Sequence, residues 1–201
     1  MIAIVDYDAG NIKSVENAFR ALGGDAVLSR DPALIETAEK VVLPGVGVFG
    51  DAVEKLKSFG LEKTIHSVIE SGRPFLAICV GLQLLFDGSE ESPEAEGLKV
   101  FPGKIKRIPA AGGLKVPQIG WNSLHLERES RLLHGLDEGS YVYFVHSYYL
   151  ESEDPQLVTA STEYGVHIHA AVEKDNVFAT QFHPEKSSRV GLRILKNFME
   201  L

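Results

Sequence analysis

The stretch Phe75-Leu76-Ala77-Ile78-Cys79-Val80-Gly81 passes from an apolar strand into a helix within a single turn. Its continuously apolar part, residues 75–78, is typical of a strand buried on both faces, as the strands of a parallel sheet are. The apolar residues from Leu82 to Phe86 indicate a helix that begins directly after the glycine. A strand followed at once by a helix is the repeating unit of an α/β fold.

The first half of the chain repeats this unit. An apolar run at Ile2–Val5 is followed by apolar residues at helical spacing between Ile12 and Leu22. Further strands are predicted at Ala26–Leu28 and Val41–Leu43, and further helices at Asp51–Phe59 and Leu61–Glu70. We therefore expect an α/β fold of the flavodoxin-like type, with an open, mostly parallel sheet and flanking helices.

The second half is predicted to consist mainly of strands. The acidic segment Gly88–Gly97 is expected to be a mobile loop. Strands are predicted after it at Lys104–Ile108, Trp121–Leu126, Tyr141–Tyr149, Leu157–Thr162, His167–Val172 and Val177–Phe182. A last helix carries apolar residues from Val190 to Phe198 on one face. We expect these strands to extend the sheet in antiparallel fashion, within a single domain over residues 1–201.

Composition and charge exclude several classes of protein. The chain has 201 residues, a formal net charge of −8 and one cysteine. An acidic chain is a poor candidate for nucleic-acid binding, and Lys104, Lys106 and Arg107 are interpreted as a solvated strand face. No apolar run approaches the ~18 residues of a membrane span, and no basic leader precedes Asp6. A single cysteine forms no intrachain disulfide, which favours a reducing, cytoplasmic location.

Cys79 stands where a nucleophile would stand. Small residues two before and two after it, Ala77 and Gly81, permit the tight strand-to-helix turn called a nucleophile elbow. A helix N-terminus favours a thiolate through its unpaired N–H groups and its dipole. Without this context, a lone cysteine is more often an inert core thiol.

Of the seven histidines, His183 is the best candidate for the base. It closes a predicted strand, and Pro184 biases it toward an extended conformation. Glu185 then lies on the same side of the chain, where its carboxylate can orient the imidazole ring. His167 and His169 would share one strand face, which is a weak indication of a metal site without further ligands.

The oxyanion of an acyl transfer needs N–H donors. The Val80 N–H at the elbow is one candidate, and the loop Gly45-Val46-Gly47 after the preceding strand is a second. The alternative for this loop is an ordinary βα turn, which its composition permits equally well.

The segments around Cys79 and His183 resemble the triad-type, class I glutamine amidotransferases. More narrowly, the chain resembles the glutaminase subunits of imidazole glycerol phosphate synthases, which serve histidine biosynthesis. The segments that carry the resemblance are Asp6-Tyr-Asp-Ala-Gly-Asn11, Pro44-Gly-Val-Gly-Val-Phe-Gly50, Ala77-Ile-Cys-Val-Gly-Leu-Gln83, Pro117-Gln-Ile-Gly-Trp-Asn122, Tyr143-Phe-Val-His-Ser-Tyr148 and Phe182-His-Pro-Glu-Lys-Ser187. Ala77, Leu82 and Ile119 depart mildly from the family pattern, and none of these departures removes a catalytic group.

The resemblance implies a substrate and a partner. It implies that Gln83 and the backbone of His146, Ser147 and Tyr148 hold the amino-acid end of glutamine, while residues 45–47 lie over the carboxamide. It also implies that ammonia passes to a (β/α)₈ cyclase subunit in a heterodimer. No metal and no organic cofactor is called for.

A partner would cover the mouth of the site, so that ammonia leaves without contact with water. The candidates for this interface are Asn11, Phe49, Trp121, Tyr143 and Lys186. Aromatic residues are favoured interface anchors, and a lysine can pair with an acid across the seam. The alternative is that Trp121 and Tyr143 belong to the core and Lys186 is solvated.

Other functions remain open at this point. A phosphate-binding module of the same fold would leave Cys79, His183 and Glu185 unexplained, and it lacks a Gly-x-Gly-x-x-Gly loop. A free-standing cysteine hydrolase would need no free-amino-acid pocket and no partner. The glutaminase subunit of another amidotransferase, such as pyridoxal phosphate synthase, would share the elbow and triad but not the segments at 117–122 and 143–148.

Overall fold

A computed structural model describes residues 1–10, 12–110 and 112–201 of the chain. Fourteen strands and six α-helices lie within those ranges. The strands are β1 (Ile2–Val5), β2 (Ala26–Ser29), β3 (Lys40–Gly45), β4 (Phe75–Cys79), β5 (Gly88–Ser89), β6 (Ser92–Glu96), β7 (Lys104–Arg107), β8 (Gln118–Ser123), β9 (His125–Leu126), β10 (Tyr141–His146), β11 (Tyr148–Glu151), β12 (Val158–Glu163), β13 (His167–Lys174) and β14 (Val177–Thr180). The helices are α1 (Lys13–Ala21), α2 (Pro32–Thr37), α3 (Phe49–Ser58), α4 (Leu61–Glu70), α5 (Val80–Leu84) and α6 (Ser188–Glu200).

Five strands form the parallel part of the main sheet, in the order β2-β1-β3-β4-β14. This order is that of the flavodoxin-like folds, which confirms the predicted fold class. The residues of β1, β4 and β14 are all buried, as a sheet covered on both faces requires. Helix α1 packs with α6, while α2 and α3 pack with α4.

The sheet continues beyond β14 through strands of the second half. The order is β14-β13-β11-β7-β5-β6, and every pairing is antiparallel except β5 with β7. Strand β12 pairs with β13 and with β9. Ile105 in β7 is buried between exposed Lys104 and Lys106, which confirms the predicted solvated face.

Two long predicted strands prove to be broken. The prediction at Tyr141–Tyr149 is wrong because the chain leaves one sheet and enters another at Ser147: β10 pairs with β8 in a two-stranded ribbon, and β11 joins the main sheet. The strand predicted at Trp121–Leu126 is likewise divided at Leu124 into β8 and β9. An alternating pattern indicates a strand, but it does not show which neighbour the strand pairs with.

The acidic segment Gly88–Gly97 is a hairpin, β5–β6, rather than the mobile loop that its composition predicted. The Phe49 N–H donates to Glu91 Oε2 at 2.8 Å, and the Gly50 N–H donates to Ser92 Oγ at 3.1 Å. These are free amides at the start of α3, where a carboxylate is also favoured by the helix dipole. The segment is therefore ordered because it caps a helix.

Helix α2 was not predicted. Its signals are present in the sequence: Asp31 accepts a hydrogen bond from the Ala33 N–H at 3.0 Å as the N-cap, and Pro32 occupies the first turn. In the described parts of the chain, no helix is long and apolar enough to cross a membrane.

The elbow depends on close backbone packing between β3 and the start of α5. A Cβ atom placed on Gly81 would lie 2.1 Å from the Leu43 carbonyl oxygen. This contact is with backbone and cannot be relieved by a side-chain rotation, so the position requires glycine.

We expect Gly81→Ala to lower the free energy of unfolding by about 3 kcal/mol or more, because β3 must move away from α5. Urea unfolding followed by circular dichroism measures the change. Gly88→Ala is the matched control, since its Cβ would come no closer than 3.4 Å to another atom. Equal stability of the two variants would contradict the packing argument.

Candidate active site

Cys79 lies at the end of β4 and directly before α5. Its φ of 56° is in the left-handed region, which a non-glycine residue adopts only where the surroundings enforce it. The side chain is 3% exposed and faces a cavity. The predicted nucleophile elbow is thus present, with the thiol at its tip.

His183 reaches the same edge of the sheet because β14 runs parallel to β4, with Thr180 paired to Ile78. Its backbone is extended, with φ −99° and ψ 98°. Its side chain lines the same cavity as Cys79, and its Nδ1 lies 2.8 Å from Glu185 Oε1. The three residues predicted to form a triad are therefore brought together.

The electrostatics of His183 favour its charged form. Burial alone lowers the pKa of the imidazole, but the adjacent Cys79 and the Glu185 carboxylate together raise this pKa to about 10. At neutral pH the ring is then an imidazolium.

A buried hydroxyl, Ser187, joins the triad turn to β10. Its Oγ donates to the His183 carbonyl at 2.6 Å and accepts from the Tyr143 N–H at 2.9 Å. The His183 N–H in turn donates to the Tyr143 carbonyl at 2.9 Å. This role was not predicted, although Ser187 stands within a segment that carries the family resemblance.

The thiol faces a cavity of about 280 Å³. Most of the predicted site residues line it: Val46, Gly47, Cys79, Val80, Gln83, His146, Ser147, Tyr148, His183 and Lys186. Val145 and Glu91, which were not predicted, also contribute to its wall.

Gly45 does not reach this wall. A Cβ on Gly45 would lie 2.6 Å from the Gly81 nitrogen and 2.8 Å from the Tyr7 hydroxyl oxygen, so the residue is part of the packed elbow. Burial, and after it the charge of Cys79, raise the pKa of the Tyr7 phenol, and its O–H donates to the Pro44 carbonyl at 2.8 Å. Val46 and Gly47 are the part of the predicted oxyanion loop that borders the cavity, and Gly47 has a φ of 93°.

Gln83 is held in place by two hydrogen bonds. Its amide NH₂ donates to the Tyr148 carbonyl and to Gln181 Oε1, each at 3.1 Å. With both amide hydrogens used, Oε1 of Gln83 is left to accept a hydrogen bond from a ligand. Gln181 was not predicted as a site residue because a lone amide in a strand carries no motif.

His146 is a structural histidine in this site. Its Nδ1 lies 2.9 Å from the Tyr148 carbonyl, and its Nε2 lies 2.7 Å from the Gln118 amide. Burial lowers the pKa of the ring to about 4, so it is neutral. Nδ1–H then donates to the carbonyl, and the Gln118 amide must present its NH₂ group to Nε2.

The predicted interface residues differ in their placement. Trp121 is 51% exposed and its ring packs edge-on against Tyr143, with 5.8 Å between centroids; Lys186 is also exposed. The expectation that Phe49 faces a partner is wrong, because its side chain is fully buried in the core. Asn11 lies outside the described residues.

The pair His167 and His169 does not form a metal site. His169 Nδ1 accepts the Ser152 N–H at 2.8 Å, so the neutral ring carries its proton on Nε2 and offers no lone pair there. Nδ1 of His167 lies 2.5 Å from Glu163. Among the residues that the structure describes, no group of three His, Cys, Asp or Glu side chains is arranged to hold a metal ion.

Comparison with known proteins gives the family. The model of the family described as glutamine amidotransferase class-I matches residues 3–201. The chain belongs to the class-I glutamine amidotransferase family.

Relatives share this length and about half of the sequence. The imidazole glycerol phosphate synthase subunit HisH of Methanothermobacter thermautotrophicus is 51% identical over 201 residues, which cover 100% of this chain and 98% of that protein. The subunit of the same name from Syntrophotalea carbinolica is 50% identical over 206 residues, covering 100% of both. The crystal structure of a glutamine amidotransferase from Thermotoga maritima has a TM-score of 0.67 at 18% identity, over 99% of this chain and 82% of that one, which shows the fold alone.

The active-site cavity of this amidotransferase is not the largest one in the described structure. A cleft of about 730 Å³ lies between residues 126–136 and α6. Its polar side chains bond to one another, because Glu173 pairs with Arg131 at 2.8 Å and accepts from Ser130 Oγ at 2.6 Å. Chemistry rather than size therefore identifies the site.

The geometry of the triad predicts unequal effects of its members. His183→Asn should lower kcat for glutamine hydrolysis by about 10³-fold, because acid and base catalysis are both lost. Glu185→Gln should lower kcat about 10-fold to 100-fold less than His183→Asn does, since only ring orientation and charge stabilisation are disturbed. Steady-state glutamate release measures both, with the exposed His134, changed to Asn, as the control. Greater damage in the Glu185 variant would mean that the roles are misassigned.

The neutral state of His146 predicts a loss of stability in acid. The pKa is about 4 in the folded chain and 6.5 when unperturbed, so the unfolded chain binds the extra proton first. The contribution is complete above pH 6.5 and is lost as the pH falls toward 4. Between pH 7 and pH 5, His146→Asn should lose about 2 kcal/mol less unfolding free energy than the parent chain. Urea unfolding of both proteins at the two pH values measures this difference. An equal loss of unfolding free energy in the two proteins would refute the prediction.

Proposed function

We propose that this amidotransferase is the glutaminase subunit of an imidazole glycerol phosphate synthase, and that it supplies ammonia for histidine biosynthesis. The observation that carries the proposal is the Cys79–His183–Glu185 constellation at a nucleophile elbow. It stands in a chain about 50% identical, over its full length, to proteins named as HisH subunits of that synthase.

The chemistry begins with attack on the glutamine carboxamide carbon. The Cys79 thiolate forms the C–S bond, and the negative charge moves to the carboxamide oxygen. The Val80 N–H and the N–H groups of Val46 and Gly47 are the proposed donors to this oxyanion. The His183 imidazolium gives its proton to the nitrogen as the C–N bond breaks, and ammonia leaves a thioester.

Hydrolysis of the thioester returns the enzyme to its starting state. The neutral His183 takes a proton from water, and the resulting hydroxide adds to the thioester carbon. The C–S bond breaks, glutamate is released, and Cys79 is again a thiolate beside an imidazolium. Glu185 holds the ring orientation throughout through its bond to Nδ1.

The cavity provides groups for the amino-acid end of glutamine. We assign the α-ammonium to Gln83 Oε1 and to the Glu91 carboxylate, which lines the cavity while its Oε2 accepts the Phe49 N–H. The backbone at Ser147 and Tyr148, whose Tyr148 carbonyl accepts the Gln83 amide, is the proposed contact for the rest of this end. The His146 ring fixes the position of the Tyr148 carbonyl.

The partner is proposed to be a (β/α)₈ cyclase that docks on the β8–β10 ribbon. Trp121, Ile119 and Tyr141 expose 51%, 63% and 58% of their surface there, which is an apolar patch beside the cavity residue Val145. Lys186 lies at the cavity wall and is exposed, so it can pair with an acidic group of the partner. Ammonia released inside a covered site stays uncharged and nucleophilic.

Two further assignments belong to this proposal. A cytoplasmic location follows from a catalytic thiol that must stay reduced. A single amidotransferase domain over residues 1–201 is supported by the main sheet, which combines strands from both halves of the chain.

An assay of glutamate release tests the function. We expect weak hydrolysis by the chain alone, an increase when the cyclase is added, and an increase of about a hundredfold when the cyclase also holds its ribonucleotide ligand. Cys79→Ala should show no turnover under any condition while keeping its circular dichroism spectrum. Full activity of the isolated chain would favour the free-standing hydrolase instead.

A further inference from the structure

Gln181 occupies a position where an apolar side chain would be expected. It follows β14, is fully buried, and lies between Thr180 and Phe182, which are also fully buried. Its N–H donates to the Ala170 carbonyl at 2.8 Å, which fixes the backbone against β13. A buried primary amide is costly unless its polar atoms are paired, so its partners indicate why it is there.

Both ends of the amide bond to groups of the active site. Nε2 of Gln181 lies 3.7 Å from Cys79 Sγ, within hydrogen-bonding range for sulfur. Oε1 accepts the amide hydrogen of Gln83 at 3.1 Å. The parallel register of β14 and β4 places Gln181 next to Cys79 across the sheet. Neither bond of this amide serves the packing of the core.

Two kinds of group surround the sulfur and favour different states of it. The Val145 carbonyl oxygen, 3.8 Å from Sγ, can accept from a neutral thiol but repels a thiolate. The Gln181 N–H donates toward the sulfur and the His183 ring carries a positive charge near it, and both a donor and a positive charge stabilise the anion. The amide adds a donor that, unlike the histidine, keeps its hydrogens when His183 transfers a proton.

We propose that Gln181 is a further catalytic residue, which donates a hydrogen bond to the Cys79 thiolate and also fixes Gln83 in its substrate-binding orientation. The catalytic role rests on the proposed glutaminase function. The hydrogen bond itself is a property of the chain without substrate or partner. The amide stabilises the Cys79 thiolate before it attacks, and it donates to the thiolate again when the thioester breaks.

Gln181→Met tests the donor, because methionine keeps most of the volume and removes both polar groups. Alkylation of Cys79 by iodoacetamide, measured against pH, reports the thiolate without glutamine and without a partner. We expect the half-maximal rate to move upward by about one pH unit, as a charge-assisted hydrogen bond requires. With the partner present, kcat should fall about 10-fold and KM for glutamine should rise, since Gln83 also loses a bond.

Thr180→Val is the matched control. It removes a buried hydroxyl from the adjacent position in the chain, and this hydroxyl bonds to the Phe182 carbonyl at 3.0 Å and not to the site. An unchanged alkylation profile in this control, with a shifted one in Gln181→Met, supports the proposal. Equal shifts in both variants, or no shift in Gln181→Met, would overturn it. If the folded parent chain releases no glutamate even with the partner present, the proposed function is rejected. The interpretation of the alkylation profile is then unaffected.

A measurement on the parent chain covers the case in which Gln181→Met does not fold. The sequence contains four glutamines, so selective ¹⁵N labelling gives four side-chain amide signals. We expect the chemical shift of the Gln181 amide to change with pH as the Cys79 thiol ionises. This change should be absent in Cys79→Ala. If none of the four responds to the ionisation of Cys79, the proposed hydrogen bond does not exist.

Discussion

The close approach of β3 to the turn after β4 is the constraint on which the rest of the site depends. Gly45 and Gly81 face each other there with no room for a Cβ atom, and Gly45 is paired with Cys79 in the sheet. This contact forces the chain to leave β4 with Cys79 in the left-handed region, which turns its side chain away from the sheet and into the cavity. The strain of that conformation is held by the packing of the neighbouring strands.

The parallel register then supplies the remaining groups. Because β14 ends beside β4, His183 reaches the thiol without a long connection, and Glu185 follows within the next turn. These parts could be predicted from the sequence, since an elbow and a His-Pro-Glu segment each have a local signature. The same is true of the parallel half of the fold, where apolar runs and helical spacing alternate.

The missed parts depend on tertiary partners that no local pattern encodes. Glu91 belongs to an acidic segment that composition alone describes as a loop, and it is ordered by the amides at the start of α3. Ser187 acts through bonds to Tyr143 and His183, one of them 44 positions away in the chain. Phe49 was predicted at an interface because it follows the glycine loop, yet helix α3 directs its side chain into the core.

The division of residues 141–151 between two sheets has a mechanical consequence. Strand β10 bonds through the backbone of Tyr143 to the turn that carries His183, and its Val145 carbonyl lies beside Cys79 Sγ. The outward side of the same ribbon carries exposed Trp121 against Tyr143. A partner protein that docks on this ribbon therefore contacts β10, and β10 in turn contacts both Cys79 and the turn that carries His183. A ribbon of two strands deforms more easily than the wide sheet that holds Cys79 and His183, because its strands have few neighbours. In the proposed complex, a docked partner would therefore reach the chemistry through small movements of β10, with no rearrangement of the triad itself.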